Sequence, residues 1–600
     1  MSTETKTAST YYCSFRYMDG VSHIQQCPIS SGSTFEYRVR ADKAGTHWYH
    51  GHLSIDRGDG MVGAIVVLED DQSIRIDGRT KRTPDRQYAL LLQDWPLLNA
   101  HENGGNTVDG GMMRFMYGFD QMRSQRKCWQ YRRYEDGGAV GGSVPLSAIL
   151  FNDKGWSNQD DIRKKTANLP LERFRVRRGR DVLFRVIHGG FGYGLLVYVD
   201  DHDFYVVASD GDPIKPFKAH AVVLQPGERY DLLIRGKMRP DRKRYYIKAR
   251  TMETMNLKYD PVDSSIVGVA ELYYESTSVS DRFVRPKFAT LCPRGVRCRV
   301  VNCPFERFSP KTNADCINVG QLENAREVKQ PMLQMGFDAN EPYQEFFINA
   351  HRGKNAHMNR YSMKHPMAPP YFHSRQLSRV ANVCSRKKCL SGAAAGDPAC
   401  KCFHYLSMKS GHLVQLVIYN MGQSGSDQFS VGSHHPFHMH GHHFYVMKVG
   451  YGRYRDNTGR LMANNDDMPC NEPNAEWCDD ARWTKKSWIG GNVPGMNPRA
   501  ILKDTVTIPS GGYVVLRFQT NNVGWYYAHC HIMLHHMKGM AFAIKIGSNR
   551  EIEQYRRPPA DMPHDCGNLL PRVRHGVAAD DEFPEPVYHP EYEQAFVNDN

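Results

Sequence analysis

The stretch His529-Cys530-His531-Ile532-Met533-Leu534-His535-His536-Met537-Lys538-Gly539-Met540 sets one cysteine ahead of a histidine five residues on and a methionine ten residues on. One loop thereby supplies most of a His₂Cys site with a weak axial thioether, the donor set that selects copper for electron transfer. Side chains alternate along an extended strand, so Cys530 points to one side while His529 and His531 point to the other. The flanking histidines are then free to hold further metal ions a few covalent bonds behind the cysteine. The spacing predicts a type 1 copper site wired to a second metal centre.

A second histidine for that site is offered by His435-Pro436-Phe437-His438-Met439-His440-Gly441-His442. Four histidines in eight residues on a predicted strand are too many for core packing, because each ring would bury nitrogens that need partners. Metal binding is the economical reading. Zinc would require a Cys/His set at finger or hydrolase spacing, which neither stretch has. In Gly45-Thr46-His47-Trp48-Tyr49-His50-Gly51-His52, His50 and His52 share one face of a short strand and could hold two ions or one. His47 faces with neither and reads as structural.

Taken together, these stretches resemble the third, fourth and second copper motifs of the multicopper oxidases (laccases, ascorbate oxidases, ferroxidases). Cys400-Lys401-Cys402-Phe403-His404, leading into the apolar run from Leu413 to Tyr419, looks like animal laccases in particular. The resemblance covers residues 11–570 and implies an all-β chain of three cupredoxin-like Greek-key domains. Residues 11–145 would form the first, truncated at its N-terminus and carrying trinuclear-cluster ligands. Residues 146–290 would form a second without copper, and 291–570 a third with type 1 copper and further cluster ligands, followed by an acidic tail at 571–600.

Carried over by position, the resemblance implies that His435, Cys530, His535 and Met540 hold type 1 copper. His52, His440 and His529 would hold one type 3 copper, His50 and His531 the other, and His438 the type 2 copper. In the family chemistry a reductant gives single electrons to type 1 copper, Cys530 passes them through His529 and His531, and dioxygen is reduced to water. Asp19, in Tyr17-Met18-Asp19-Gly20, matches a carboxylate that the family places near the cluster, where it would help deliver protons. Read alone, Asp19 is a turn residue before Gly20. Some relatives carry a second carboxylate three residues after the cysteine, where this chain has Met533. A disulfide between Cys27 and Cys566 is also implied.

The chain departs from the pattern upstream. A HWHG motif is expected about a dozen residues before Tyr17, where Lys6-Thr7-Ala8-Ser9 stands. Two copper ligands are then unfilled, the N-terminus reads as incomplete, and an open strand edge is expected in the first domain. The N-terminal residues carry no apolar signal core.

At 600 residues the chain exceeds one core, and 51 glycines with 33 prolines between short apolar runs favour β structure. The net charge of +13 is spread along the chain without a nucleic-acid motif. No apolar run is long enough for a membrane span. Fifteen cysteines, several clustered as Cys292, Cys298, Cys303, Cys316 and Cys384, Cys389, Cys400, Cys402, indicate disulfides, an oxidising compartment and secretion. A zinc site at Cys400-x-Cys402 is the weaker alternative, and the absence of Asn-x-Ser/Thr acceptors counts against glycosylation. Met358, Met363 and Met367 read as packing rather than copper delivery, and the isolated His188, His202 and His220 as structural. Tyr88 to Trp95 is assigned to the first domain, and the basic stretch Arg114 to Arg133 to a solvated loop.

Three functions follow. The first is a laccase-type oxidase of small phenols or aromatic amines, with dioxygen as the other partner. The second is a ferroxidase, which requires acidic residues beside the type 1 histidines. The third is non-enzymatic: a copper-binding cupredoxin protein with an incomplete trinuclear site.

Overall fold

Predominantly apolar runs read as strands covered on both faces, and Leu195–Val199, Leu413–Tyr419 and Gly524–Cys530 are buried at every position. Arg173–Val176 instead alternates exposed and buried residues, as a half-covered strand does. The computed structural model describes residues 18–96, 146–155, 171–326, 343–421 and 434–555 with short interruptions. It also describes the strands Lys6–Ala8 and Gln130–Arg132 and residues 558, 562, 563 and 566. Most of Arg114 to Arg133 and the whole acidic tail lie outside the described residues.

The first unit contributes a three-stranded sheet in the order Lys6–Ala8, Gly45–Gly51, Val62–Val67. Thr7 pairs with His50, so the edge expected to be open is covered. The segment where a HWHG motif was expected does form a strand beside the histidine pair, with Lys6-Thr7-Ala8 in it.

In the middle unit a six-stranded sheet runs Asp212–Ala219, Phe204–Ser209, Arg229–Arg235, Asp181–His188, Arg86–Pro96, Leu146–Phe151. Tyr88 to Trp95 therefore does not close the first unit. It pairs in parallel with Asp181–His188, Phe184 opposite Tyr88. Its apolar run from Tyr88 to Leu92 fits any largely buried strand, and only long-range pairing selects the sheet. A seven-stranded sheet completes this unit and takes in Cys298–Val301 and Ala314–Ile317, which the sequence placed at the approach to the third domain.

The third unit has an eight-stranded sheet in which Leu413–Tyr419 lies between Tyr343–Arg352 and Tyr513–Gln519. Its five-stranded sheet runs Tyr405–Met408, Ala541–Ile546, Gly524–Cys530, His435–Met439, Thr505–Ile508. One cluster of buried apolar side chains extends from Met18, Val21 and Ile24 through Val186 and Val222 to Leu516, Trp525 and Phe542. Met358 and Met363 lie in that core.

Disulfides join Cys303 to Cys316, Cys384 to Cys402, Cys389 to Cys400 and Cys470 to Cys478. The Cys400-x-Cys402 pair is thereby committed to disulfides rather than to zinc. Cys27 bonds to Cys566 with Cα atoms 5.6 Å apart, beside Ala368 and Val380. This bridge closes a loop of 539 residues and clamps the C-terminal segment to the N-terminal one. Replacing both cysteines by serine is expected to cost about 2–5 kcal/mol, measured as a lower denaturant midpoint with a steeper slope, because the unfolded chain is no longer held compact by the bridge. An unchanged midpoint would show that packing alone holds the two segments together.

Candidate metal centre

The sorting of donors begins with strand register. Gly524–Cys530 pairs with His435–Met439 so that Phe437 stands opposite Cys530 and His438 opposite His529. Directly opposed residues share a face of the sheet. His435, two residues before Phe437, therefore lies with Cys530, and His438 lies with His529 behind them.

On the first face the short helix Met533–Met537 returns the chain so that His535 meets the other two donors. Cys530 Sγ is 3.7 Å from His435 Nδ1 and 3.5 Å from His535 Nδ1, and the two nitrogens are 3.1 Å apart. All three residues are buried. Met540 is fully buried beside them; its N–H donates to the His535 carbonyl at 2.9 Å and its carbonyl accepts from Cys530 N–H at 3.0 Å. Cys530 is the one free cysteine among the described residues. Burial pushes its thiol up to about 12, so a metal ion binding there must displace the proton.

Behind the strand, His52 Nε2 is 3.2 Å and His440 Nε2 3.3 Å from His529 Nε2. The Nδ1–H groups of His50, His438 and His529 donate to the carbonyls of Gly51, Asp504 and Cys530 at 2.8, 2.9 and 2.9 Å. This tautomer leaves lone pairs on Nε2, the arrangement found in metal-ligating histidines. The buried His438 Nε2 has no hydrogen-bond partner among the described residues. His438 and His531 have ring centroids 5.5 Å apart, and His50 and His531 5.3 Å. Lone pairs converging at the spacing of His52, His440 and His529 repel one another unless a cation lies among them. The donor sets on both faces thus fit metal ions, and nitrogen with thiolate and thioether suits copper.

Asp19 lies behind His440, with Oδ2 at 3.1 Å from Nδ1. Gln25 holds it there, donating from Nε2 to Asp19 Oδ2 at 3.0 Å and to the Trp525 carbonyl at 2.7 Å. Several neighbours of the site carry no signal in the local sequence. Arg57 is buried; its guanidinium lies against the His531 ring and donates to the His531 carbonyl at 2.7 Å. His536 stacks on His529 at 4.3 Å between centroids. Trp48 packs 4.3 Å from His50. His47 is buried away from the cluster, its Nε2 3.2 Å from the Lys43 carbonyl. His188 and His202 bond within the middle unit, to the Tyr193 carbonyl at 2.6 Å and the Tyr274 hydroxyl at 2.7 Å.

A buried ion pair adjoins the cluster from the middle unit. Arg229 donates from Nη1 and Nη2 to the two oxygens of Asp504 at 2.6 and 2.5 Å. Burial works against the Asp504 charge, and the Arg229 guanidinium outweighs it, holding the carboxyl well below the usual carboxylate range. Breaking such a pair on one side costs about 3–5 kcal/mol, because the remaining charge stays buried.

Profiles of the family described as multicopper oxidase match residues 12–72, 127–267 and 378–550. The chain is 24% identical to Laccase-12 of Arabidopsis thaliana over 579 residues, spanning 91% of this chain and 83% of that protein. It is also 24% identical to the iron transport multicopper oxidase FET5 of Saccharomyces cerevisiae, spanning 87% of this chain and 67% of that one. Among solved structures, Fet3p, a multicopper oxidase that functions in iron import, is similar with a TM-score of 0.61 at 16% identity. That likeness covers 95% of this chain and 85% of Fet3p. The laccase of Botrytis aclada follows with a TM-score of 0.54 at 18% identity, covering 92% of this chain and 80% of that one. These structural likenesses carry the fold.

Burial holds the cluster histidines neutral. It lowers His438 to about 3 and places His50, His52, His529 and His531 well below the ordinary imidazole value of 6.5. The unfolded chain takes up protons as pH falls through 6.5 while the folded rings do not. Copper-free protein should therefore lose stability from about pH 6.5 down to about pH 4, each such ring contributing up to about 1.4 kcal/mol per pH unit. Denaturant titrations near pH 7 and near pH 4.5 measure this, and equal stabilities would show that the folded rings accept protons freely.

Proposed function

Because the chain belongs to the multicopper oxidase family, we propose that it is a laccase-type oxidase. It would couple one-electron oxidation of small phenols or aromatic amines to the four-electron reduction of dioxygen to water. The observation that carries this reading is one strand end serving two donor sets: His435, Cys530 and His535 on one face, His52, His440 and His529 on the other. His435, Cys530, His535 and Met540 would hold type 1 copper. His52, His440 and His529 would hold one type 3 copper, His438 the type 2 copper, and His50 with His531 the second type 3 copper, where the Arg57 guanidinium competes for the same ring. Bound at these sites, copper supplies the one-electron redox chemistry that none of the protein's side chains provides.

The chain's own residues do the rest. Cys530 is joined through single peptide bonds to His529 and His531, which shortens the covalent route between the two faces. Its burial keeps water away from the thiolate. Asp19, held by Gln25 against His440 Nδ1, places a carboxylate where it can hold a proton beside the cluster. Met533 at the position of the second family carboxylate leaves that task to Asp19. The disulfide framework suits a secreted protein.

A ferroxidase is the second reading, favoured by the likeness to FET5 and to Fet3p. Oxygen uptake with a diphenol and with ferrous iron, on the copper-loaded chain, separates the two. Faster turnover of the diphenol supports the laccase reading and faster turnover of iron the ferroxidase. Bound copper without oxygen uptake from either supports a copper-binding protein. Cys530→Ser should abolish the intense blue thiolate-to-copper absorption; a surviving blue band would remove the type 1 assignment.

A further inference from the structure

We propose that Arg229, from the middle unit, is a positioning residue that sets the histidines of the first and third units in one frame. The inference rests on the cluster assignment above and adds a residue that touches no metal ligand directly.

Arg229 is 1% exposed and spends its donors on all three units. Nε donates to the Thr46 carbonyl at 3.3 Å, on the strand Gly45–Gly51 that carries His50. Nη1 donates at 3.0 Å to the carbonyl of Gly227, in its own unit. Gly227 has φ +93°, and a Cβ there would lie 2.6 Å from His531 Cδ2, so the turn is seated against that ring. The remaining donors grip Asp504, whose backbone carbonyl accepts from His438 Nδ1 at 2.9 Å. Thr505 completes the seat: its hydroxyl donates to Asp504 Oδ1 at 2.8 Å and lies 3.1 Å from His438 Nδ1.

One planar cation thus touches the strand that carries His50, the turn seated against His531, and the carboxylate of the residue whose carbonyl holds His438. Its position is in turn constrained by Asp210, which accepts from Arg229 N–H at 2.9 Å and from Thr505 N–H at 3.1 Å. A lysine keeps the charge but lacks the fixed fork that reaches three directions at once. Loosening the fork should release the cluster histidines while leaving His435, Cys530 and His535, on the opposite face, in place.

The test uses the whole chain reconstituted over graded free copper, with copper per chain, blue absorption and the type 2 electron paramagnetic resonance signal as readouts. Arg229→Lys should keep the blue band of folded protein, lose copper beyond the type 1 ion at about 10–100-fold higher free-copper concentration, and shift the type 2 hyperfine splitting. Arg244→Lys, at a part-buried ion pair within the middle unit, 2.9 Å to Glu271, should match the wild type in all three. If Arg229→Lys does not fold, Asp504→Asn, which preserves shape and the backbone carbonyl, decides by the same readouts. A wild-type signal and copper affinity in the variant would overturn the positioning role, and so would parallel loss of the blue band. A wild-type chain that binds only the type 1 ion would overturn the cluster assignment and this inference with it.

Discussion

The two-residue period of an extended strand is the constraint on which this molecule depends. At the end of Gly524–Cys530, neighbouring side chains must leave on opposite faces. A thiol and two imidazoles adjacent in sequence therefore join two donor sets that share a backbone and no side chain. The pairing of Phe437 with Cys530 and His438 with His529 extends the same sorting to the neighbouring strand. A register slip of one residue would send His435 to the cluster face and His438 to the thiol face. The apolar burial of this sheet, complete along Gly524–Cys530, is what makes such a slip costly.

Gathering so many imidazoles in one place has an electrostatic consequence. Neutral rings suit a dry site, and burial keeps them neutral; the price is lone pairs facing one another at 3.2 and 3.3 Å. Carbonyls behind His50, His438 and His529 fix the tautomer that creates those lone pairs. The folded donor set therefore fits a cation, and its geometry is held by groups outside that set. Arg57 is the exception, a positive group set against His531 within the same pocket.

The middle unit, without a cluster of metal donors among its described residues, still shapes the site. Glycine turns and buried charges pack where the other units meet: Gly227 against His531, Gly211 against His47, Arg229 against Asp504. Lys503 extends this network to Asp210 at 3.1 Å. Charges buried so completely are costly unless every partner is present, so they tie the units into one arrangement rather than simply adding stability.

The amino-acid sequence by itself determined the donor types, their spacing and the faces they occupy, because alternation and a five-residue return are local properties of the backbone. It also marked His50 and His52 as a pair and His47 as an outsider. Tertiary structure alone decided what stands behind each ring. Asp19 meets His440 across 421 residues, Arg57 meets His531 across 474, and Arg229 meets Asp504 across 275. It likewise decided that Arg86–Pro96 joins the middle sheet and that Lys6–Ala8 covers the first. Buried polar groups take whichever partner the packing brings to them, and strand edges take whichever strand arrives. Neither choice leaves a trace in the spacing of neighbouring residues.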